Sequence, residues 1–243
     1  MSFPNFSDPQ RFYETSRPIV IGCYIVAFVL AVIVMYMGVF VTPIDYRQGN
    51  SYRIIFIHIP CAWMSLFTYL MMAFYTIWAL ITKSKMAPVF AVAMAPTGAI
   101  MGFIALFTGS MWGRPTWGTY WVWDARLTSM LILFFLYLGY IALHTAFDDW
   151  RKADRAAAVI AIVGALNVPI IYFSVRWWNT LHQGASITTH GTSMETTMFY
   201  TVLTMVAAMW IYCTGAIVRR ARTVVLERYR REPWARAAAA KEA

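Results

Sequence analysis

The sequence predicts an all-α integral membrane protein with six transmembrane helices. Hydrophobic residues make up 60% of the 243 residues, and the mean hydropathy is +0.56, whereas an ordinary soluble domain is about half apolar. The apolar runs are about 20 residues long, which is the length a helix needs to cross a hydrocarbon core of about 30 Å. We expect one polytopic membrane domain, residues 1–243, with spans at about 19–41, 57–81, 89–111, 127–147, 156–175 and 198–218.

Prolines and small residues locate several elements along these spans. The polar tail up to Arg17 is equally compatible with a segment on the membrane surface and with a loop. Proline is tolerated in the first helical turn but disrupts an interior one, so Pro60 places the nearby His58 at the outer end of the second span. The small-residue stripe from Gly98 to Gly109 in the third span predicts close packing against a neighbouring helix.

Lysine and arginine predict the orientation. If the N-terminus is cytoplasmic, the inside segments hold 15 of these residues and the outside segments hold 5, so the positive-inside rule favours both termini in the cytoplasm. The net charge of +9 therefore indicates topology, with the basic tail suited to anionic membrane lipid. No nucleic-acid-binding motif accompanies the charge, so nucleic acid is not an expected partner.

A tryptophan-rich segment at residues 112–126 then faces the periplasm. It holds four of the 11 Trp, about sixfold more than an even distribution would give. An aromatic belt at the headgroup level explains one or two of them. Four Trp beside Asp124 and Arg126 instead favour a platform for a large, flat, partly apolar ligand that carries charged groups.

The conformation of this segment stays open. If it is extended, Trp117, Trp121 and Trp123 share one face, and if it is helical, Trp117, Tyr120, Trp121 and Asp124 share one. In either case we expect Asp124 to order the platform by accepting hydrogen bonds or by pairing with an arginine.

Among the four histidines, His58 and His182 are the candidate ligands. A histidine in or beside an apolar span needs a partner or a function, and the residues alone favour a ligand-binding histidine and a structural histidine equally. His144, near Asp148, is interpreted as an interfacial side chain, and His190 lies in a flexible outer loop.

Three stretches resemble a known family. The sequence Trp-Gly-x-x-Trp-x-Trp-Asp-x-Arg-Leu-Thr at residues 117–128 resembles the tryptophan-rich signature of the heme-handling membrane proteins of cytochrome c maturation. Residues 46–55 with the following His58, and residues 177–184, resemble further segments of that family. The six-span form is similar to the heme exporter C branch. The resemblance covers most of the chain except the terminal tails.

The resemblance implies a site for noncovalent heme b with His58 and His182 as the axial iron ligands. Because no Cys-x-x-Cys-His motif occurs, covalent attachment is not expected. Arg53 and Arg126 are the first candidates to pair with the two propionates, with Arg114 and Arg176 behind them. The aromatic and acidic platform residues are Trp112, Trp117, Tyr120, Trp121, Trp123 and Asp124.

The resemblance also implies a function and its partners. The chain would be a heme-delivery subunit of the bacterial inner membrane, working with a periplasmic heme chaperone, an ABC-type ATPase, the membrane partner of that ATPase and a small single-span accessory subunit. It contains no P-loop and is expected not to be an enzyme. The alternatives are a heme lyase-like enzyme, which would be larger, and a bis-histidine redox cytochrome, whose ligands would usually face each other inside the spans.

The charge pattern predicts the outcome of cysteine labelling. Residues 43–53, 112–126 and 177–197 should react from the periplasm, and residues 83–87, 148–155 and the tail should react from the cytoplasm, because positively charged connectors stay inside. Labelling of position 118 or 184 from the cytoplasmic side alone would reverse this orientation.

Overall fold

The computed structural model describes residues 7–184, 186–188 and 191–242. In this part of the chain, six helical segments are long and apolar enough to cross a membrane, which confirms the all-α membrane class. Between α1 and α2 lie a π-helical turn, Met37–Val41, and a 3-10 turn, Asn50–Ile54. A short antiparallel hairpin joins β1, Ile187–Thr188, to β2, Gly191–Thr192. The α-helices are α1 (Pro9–Tyr36), α2 (Ile55–Thr82), α3 (Ala87–Trp117), α4 (Ala125–Thr145), α5 (Trp150–Ala165), α6 (Asn167–Trp177), α7 (Thr196–Arg228) and α8 (Pro233–Glu242).

The connectors that follow α1, α3 and α6 meet at one end of the bundle, which we call the tryptophan-rich end. The connectors that follow α2 and α4, together with α8, lie at the other end, which we call the basic end. Hydrogen bonds join the first group directly, since Trp112 donates to Gln48 and Thr180 donates to Asp124. The segments that carry the unusual chemistry of the sequence therefore lie together.

Helices α1 and α7 both extend further toward the basic end than hydropathy predicted. From Pro9 onward the N-terminal tail is helical and not a loop, since α1 begins there with Asp8 as its N-cap and the Phe12 side chain is fully buried. Arg222 of α7 donates to the Tyr13 carbonyl and to the Ser16 hydroxyl of α1, the latter at 3.2 Å. Hydropathy did not predict the extension of α7 because that part of the helix is rich in charged residues. One of them, Arg222, bonds to the neighbouring helix α1, and α7 continues past it.

The fifth span consists of two helices instead of one. α5 ends at Ala165 and α6 begins at Asn167. This break puts Pro169 in the first turn of α6. A backbone N–H there has no partner within the helix, so the N–H that proline lacks is not needed. The Asn167 side chain donates to the Ser129 carbonyl of α4 at 2.8 Å, so the break is anchored to a neighbouring span.

Two buried tyrosines fasten the centre of the bundle. The Tyr137 hydroxyl donates to the Ser65 carbonyl at 2.7 Å, and the Tyr69 hydroxyl donates to the Ile160 carbonyl at 2.9 Å. The two rings meet edge to face with their centroids 4.8 Å apart. Glycine makes room for one of these hydroxyls, because a Cβ added at Gly98 would lie 2.2 Å from the Tyr137 oxygen. The small-residue stripe of α3 thus packs against neighbouring helices.

This contact predicts that Gly98→Ala destabilises the fold by about 1–3 kcal/mol, the usual cost of overpacking a core. The measurement is the thermal unfolding midpoint of the purified protein in detergent. Gly22→Ala is the matched control, because an added Cβ there meets nothing within 4 Å. Equal midpoints for the two variants would contradict the close packing of α3 on Tyr137.

Candidate functional site

His58 and His182 line the same cavity at the tryptophan-rich end. His58 lies in the first turn of α2, and His182 lies in the connector after α6. The cavity has about 620 Å³ of empty space, counting its open mouth. It is lined by His58, Ala62, Leu66, Ala105, Leu106, Gly109, Ser110, Trp112, Trp117, Trp121, Arg126, Leu127, Met130, Ile171 and His182.

The hydrogen bonds of Thr108 determine which nitrogen of His58 carries the proton. The Thr108 hydroxyl lies 2.6 Å from the Ile104 carbonyl and donates its one proton there. Its oxygen, 3.1 Å from His58 Nδ1, must therefore accept a hydrogen bond from an Nδ1–H group. In that neutral tautomer the lone pair of Nε2 is free to bind a metal.

His182 has the same tautomer for a similar reason. Its Nδ1 lies 2.7 Å from the Gln183 carbonyl, which can only accept a hydrogen bond. Burial, and then the positive charge of Arg126, lower the pKa of His182, although the bond to Gln183 and the Asp124 carboxylate oppose this shift. A lowered pKa extends the neutral form, and with it the free Nε2 lone pair, to more acidic pH.

The distance between the two rings suits a shared metal. Their centroids lie 6.4 Å apart, with 35° between the ring planes. A metal–imidazole bond is about 2.0–2.1 Å long and the ring centre lies about 1.1 Å behind the nitrogen, so two imidazoles on opposite sides of one metal have centres about 6.3 Å apart. The cavity therefore holds two neutral imidazoles at a separation that one metal ion can bridge.

Neighbouring side chains hold His58 in this position. A Cβ added at Gly109 would lie 2.9 Å from His58 Cε1, so the ring lies directly against the α3 backbone. The Trp112 ring meets His58 edge to face at 5.7 Å, and its indole N–H donates to Gln48 Oε1 at 2.7 Å. The backbone N–H of Gln48 in turn donates to Asp45 at 2.8 Å. The connector before α2 thus supports one wall of the cavity.

The tryptophan-rich segment is neither wholly helical nor wholly extended. α3 continues to Trp117 and ends at Gly118, whose φ of +80° is the left-handed conformation that glycine adopts without strain. An irregular stretch then leads to Asp124. As a result Trp112, Trp117 and Trp121 line the cavity.

The other two aromatic residues predicted for the platform lie outside the cavity. Tyr120 is 52% exposed and Trp123 is 76% exposed. The Trp123 ring meets Trp121 edge to face at 5.5 Å. Trp123 therefore contacts a residue of the cavity wall without lining the cavity itself. The structure therefore divides the predicted platform into cavity-lining and exposed members.

Trp121 brings an unsatisfied donor to the cavity. Its indole N–H is buried and has no hydrogen-bond partner among the described residues. A buried N–H without a partner is costly, and this one belongs to a side chain that lines the cavity. A ligand with an acceptor oxygen can satisfy it.

Asp124 connects the segment to the connector that carries His182. One of its carboxylate oxygens caps α4 by accepting from the Leu127 N–H at 2.8 Å, and the other accepts from the Thr180 hydroxyl. The Thr180 oxygen accepts from the His182 backbone N–H at 3.1 Å. Asp124 thus accepts hydrogen bonds from Leu127 and Thr180, and neither of these described partners is Arg126.

The two arginines predicted for propionates differ in their surroundings. Arg126 lines the cavity and donates through Nη1 to the Ile171 carbonyl at 2.8 Å, which leaves most of its guanidinium donors for a ligand. Arg53 lies outside the cavity and donates to the carbonyls of Gly38 and Thr42 at the end of the π-helical turn. The structure brings only Arg126 to the two histidines.

The remaining candidates lie elsewhere. Arg114 donates to the Gly118 carbonyl, and Arg176 stacks on Phe173 with 5.9 Å between its Cζ and the ring centroid. His144 is at the basic end, 3.0 Å from Asp154. His190 lies outside the described residues.

Sequence reasoning missed the residues that control the two histidines. Gln48 and Thr108 are ordinary polar residues in the sequence, and Gly109 was interpreted only as part of a packing stripe. The positions of Thr108 and Gly109 in the third span did not indicate these roles, because the roles depend on which helix packs beside them.

The chain is similar to known proteins over most of its length. A family model described as "Heme exporter protein C" matches residues 2–236. Heme exporter protein C of Escherichia coli (strain K12) is 43% identical over 226 residues, covering 93% of this chain and 91% of that protein. The protein of the same name from Bradyrhizobium diazoefficiens is 43% identical over 229 residues, covering 94% and 87%. A putative cytochrome c biosynthesis ccmC-like mitochondrial protein of Marchantia polymorpha is 43% identical over 201 residues, covering 82% and 85%.

The Thr108 contact predicts a change in the tautomer of His58. Thr108→Val removes the hydroxyl that accepts from Nδ1–H with little change in shape and leaves the Ala105 carbonyl beside the ring, so the share of the Nδ1–H tautomer should fall. The measurement is the pair of histidine ring ¹⁵N chemical shifts in labelled protein. Thr204→Val is the control, because that hydroxyl bonds its own helix at Tyr200. An unchanged His58 signal in Thr108→Val would show that Thr108 does not select the tautomer.

Proposed function

The chain belongs to the heme exporter protein C family, and from this premise we propose that it holds heme noncovalently at the periplasmic face of the membrane and delivers it to a periplasmic heme chaperone. Membership in this family implies heme handling in cytochrome c maturation. With its six apolar helices, the chain is a multi-pass inner-membrane protein. We propose where the heme lies, which residues bind its iron and how it is delivered.

The two imidazoles carry this proposal. Two neutral histidines on opposite sides of a planar ring are an established way to hold heme iron. The ring centroids of His58 and His182 are 6.4 Å apart, and each Nδ1 is already hydrogen-bonded to an oxygen. Both free Nε2 lone pairs are thereby available to the iron of one heme b, the cargo that the protein carries.

The other cavity walls suit the rest of the cargo. The aromatic faces of Trp112, Trp117 and Trp121 offer apolar surface to the porphyrin, and the Trp121 N–H offers a donor. Arg126 offers a guanidinium for a propionate. We assign propionate pairing to Arg126 and not to Arg53, because the donors of Arg53 already bind backbone carbonyls.

The unequal support of the two ligands favours transfer. His58 is held between α2 and α3 by Thr108, Gly109 and Trp112. His182 lies in a connector, and its described hydrogen bonds are to Thr180 and Gln183 of that same connector. We infer that the iron–His182 bond breaks first when heme is released.

The partners follow from the family. They are the periplasmic heme chaperone that receives the heme, an ABC-type ATPase with its membrane partner, and a small single-span accessory subunit. The sequence contains no P-loop, so the energy of nucleotide hydrolysis would come from the ATPase. In this scheme the chain is a binding and transfer subunit without catalytic groups of its own.

Two alternatives use the same ligands differently. A heme lyase-like enzyme would attach heme covalently to an apocytochrome. A redox cytochrome would keep its heme and reduce or oxidise a partner. The position of His182 in a connector favours exchangeable heme over both, since a permanent redox heme is usually held by facing residues inside a bundle.

Visible spectra of histidine variants test the proposal. His58→Ala and His182→Ala are each expected to convert a six-coordinate low-spin heme into a five-coordinate one or to lose heme, because each removes one iron ligand. Added imidazole should restore the spectrum in part by occupying the vacated volume.

His144→Ala is the matched control, because that imidazole pairs with Asp154 at the basic end, and His190→Ala should also leave the spectrum unchanged. Spectra are recorded reduced and oxidised. If His190→Ala gave the ligand-loss spectrum and His182→Ala did not, the second ligand is misassigned. If none of the four variants changed the spectrum, histidine does not hold the iron and the proposal fails.

A further inference from the structure

A second cavity lies deeper in the bundle, between α2, α3 and α7. It has about 640 Å³ of empty space, counting its opening. Its walls are long apolar and aromatic side chains, together with a few hydroxyl groups. The lining residues are Met64, Phe67, Thr68, Met71, Tyr75, Phe90, Met94, Trp210, Thr214, Ile217 and Val218.

Helix α2 separates this cavity from the one that holds the histidines. His58, Ala62 and Leu66 line the histidine cavity, whereas Thr68 and Tyr75 line the second one. With 3.6 residues per turn these two sets lie on opposite faces of α2. The second cavity is therefore a separate site and not an extension of the first.

The walls exclude a charged ligand and admit a planar one. None of the described residues that line this cavity is charged, so it offers no counter-ion to a heme propionate or a phosphate. Phe67 and Trp210 stack with their centroids 4.7 Å apart and 21° between their planes, and they are 40% and 43% exposed. These two stacked rings form the partly exposed side of the cavity, which faces the membrane.

One buried hydroxyl in the cavity has no partner. Thr68 is 1% exposed, and its Oγ1 has no hydrogen-bond partner in the described part of the chain. Other threonines nearby behave differently, since Thr76 donates to the Met72 carbonyl and Thr214 donates to its own helix, each at 2.8 Å. Among these three threonines of α2 and α7, the unused donor is therefore particular to Thr68.

Tyr75 adds a second hydroxyl two turns along the same face of α2. Its ring packs on Phe90 with the centroids 5.4 Å apart. A water molecule is a poor occupant, because buried water needs two to four polar partners. A phospholipid ester is also a poor occupant, because Thr68 is at the middle of α2, which spans Ile55–Thr82, about 15 Å from either polar surface of the bilayer.

We propose that this cavity binds the head group of a neutral, lipid-soluble quinone. A quinone ring is planar and uncharged. Its carbonyl oxygens accept hydrogen bonds, and a lipid-soluble quinone can reach the depth in the membrane at which the Thr68 hydroxyl lies. One carbonyl accepts from the Thr68 hydroxyl, the ring packs against the aromatic and methionine walls, and the Tyr75 hydroxyl is available to the other carbonyl. The tail leaves past the exposed edges of Phe67 and Trp210, on the side of the cavity that faces the membrane.

A titration with decyl-ubiquinone tests this proposal. The full chain is placed in nanodiscs of synthetic, quinone-free phospholipid, and binding is followed by saturable quenching of tryptophan fluorescence. Thr68→Val should raise the Kd about two- to tenfold, the effect of one neutral hydrogen bond, and Thr68→Ser should restore it. Thr76→Val is the matched control and should bind as the wild type does.

Misfolding is controlled by the unfolding midpoint, because Thr68→Val removes an unpaired polar group and should not lower it. Non-saturable quenching in the wild type would overturn the proposal, as would equal Kd values for the wild type and Thr68→Val. Native mass spectrometry would also overturn it if the wild type retained phospholipid and no decyl-ubiquinone, and if Thr68→Val lost that phospholipid.

Discussion

Burying a histidine inside an apolar bundle forces its ring N–H to find an acceptor, because lipid and hydrocarbon side chains offer none. In this protein His58 finds Thr108, whose own proton is donated to the Ile104 carbonyl. These two hydrogen bonds together place the ring proton of His58 on Nδ1. The lone pair of Nε2 is then free to bind a metal. The close approach of α2 to α3 at Gly109 makes the contact possible. The ligand site thus depends on helix packing.

The second ligand is supported in a different way. His182 lies in a connector, where the Gln183 carbonyl determines its tautomer. Asp124 reaches this connector through the Thr180 hydroxyl while it caps α4. In the proposed site, one ligand therefore belongs to the helical bundle and the other to a connector tied to the tryptophan-rich segment. A protein that carries heme and releases it needs this combination, since one bond must hold while the other opens.

The two cavities on either side of α2 differ in chemistry. The histidine cavity has imidazoles, the Arg126 guanidinium and an indole donor, which suit a metal and a carboxylate. The inner cavity has aromatic and thioether walls with hydroxyl donors, which suit an uncharged ring. Each face of α2 can therefore bind a different class of ligand, and α2 and α3 contribute to both sites.

The sequence by itself determined the membrane class and the six apolar helices, because hydropathy acts along the chain, and it pointed to His58 and His182, which the structure places beside one cavity. It missed the ends of α1 and α7 at the basic end, since Phe12 of α1 packs on Phe90 of α3 and Arg222 of α7 bonds to α1. Only the tertiary structure decided that Arg126, and not Arg53, reaches the cavity and that Trp123 is exposed. It also decided that Thr108 and Gly109 control His58. These features depend on which helix packs beside which, and spacing within one helix cannot specify its neighbour.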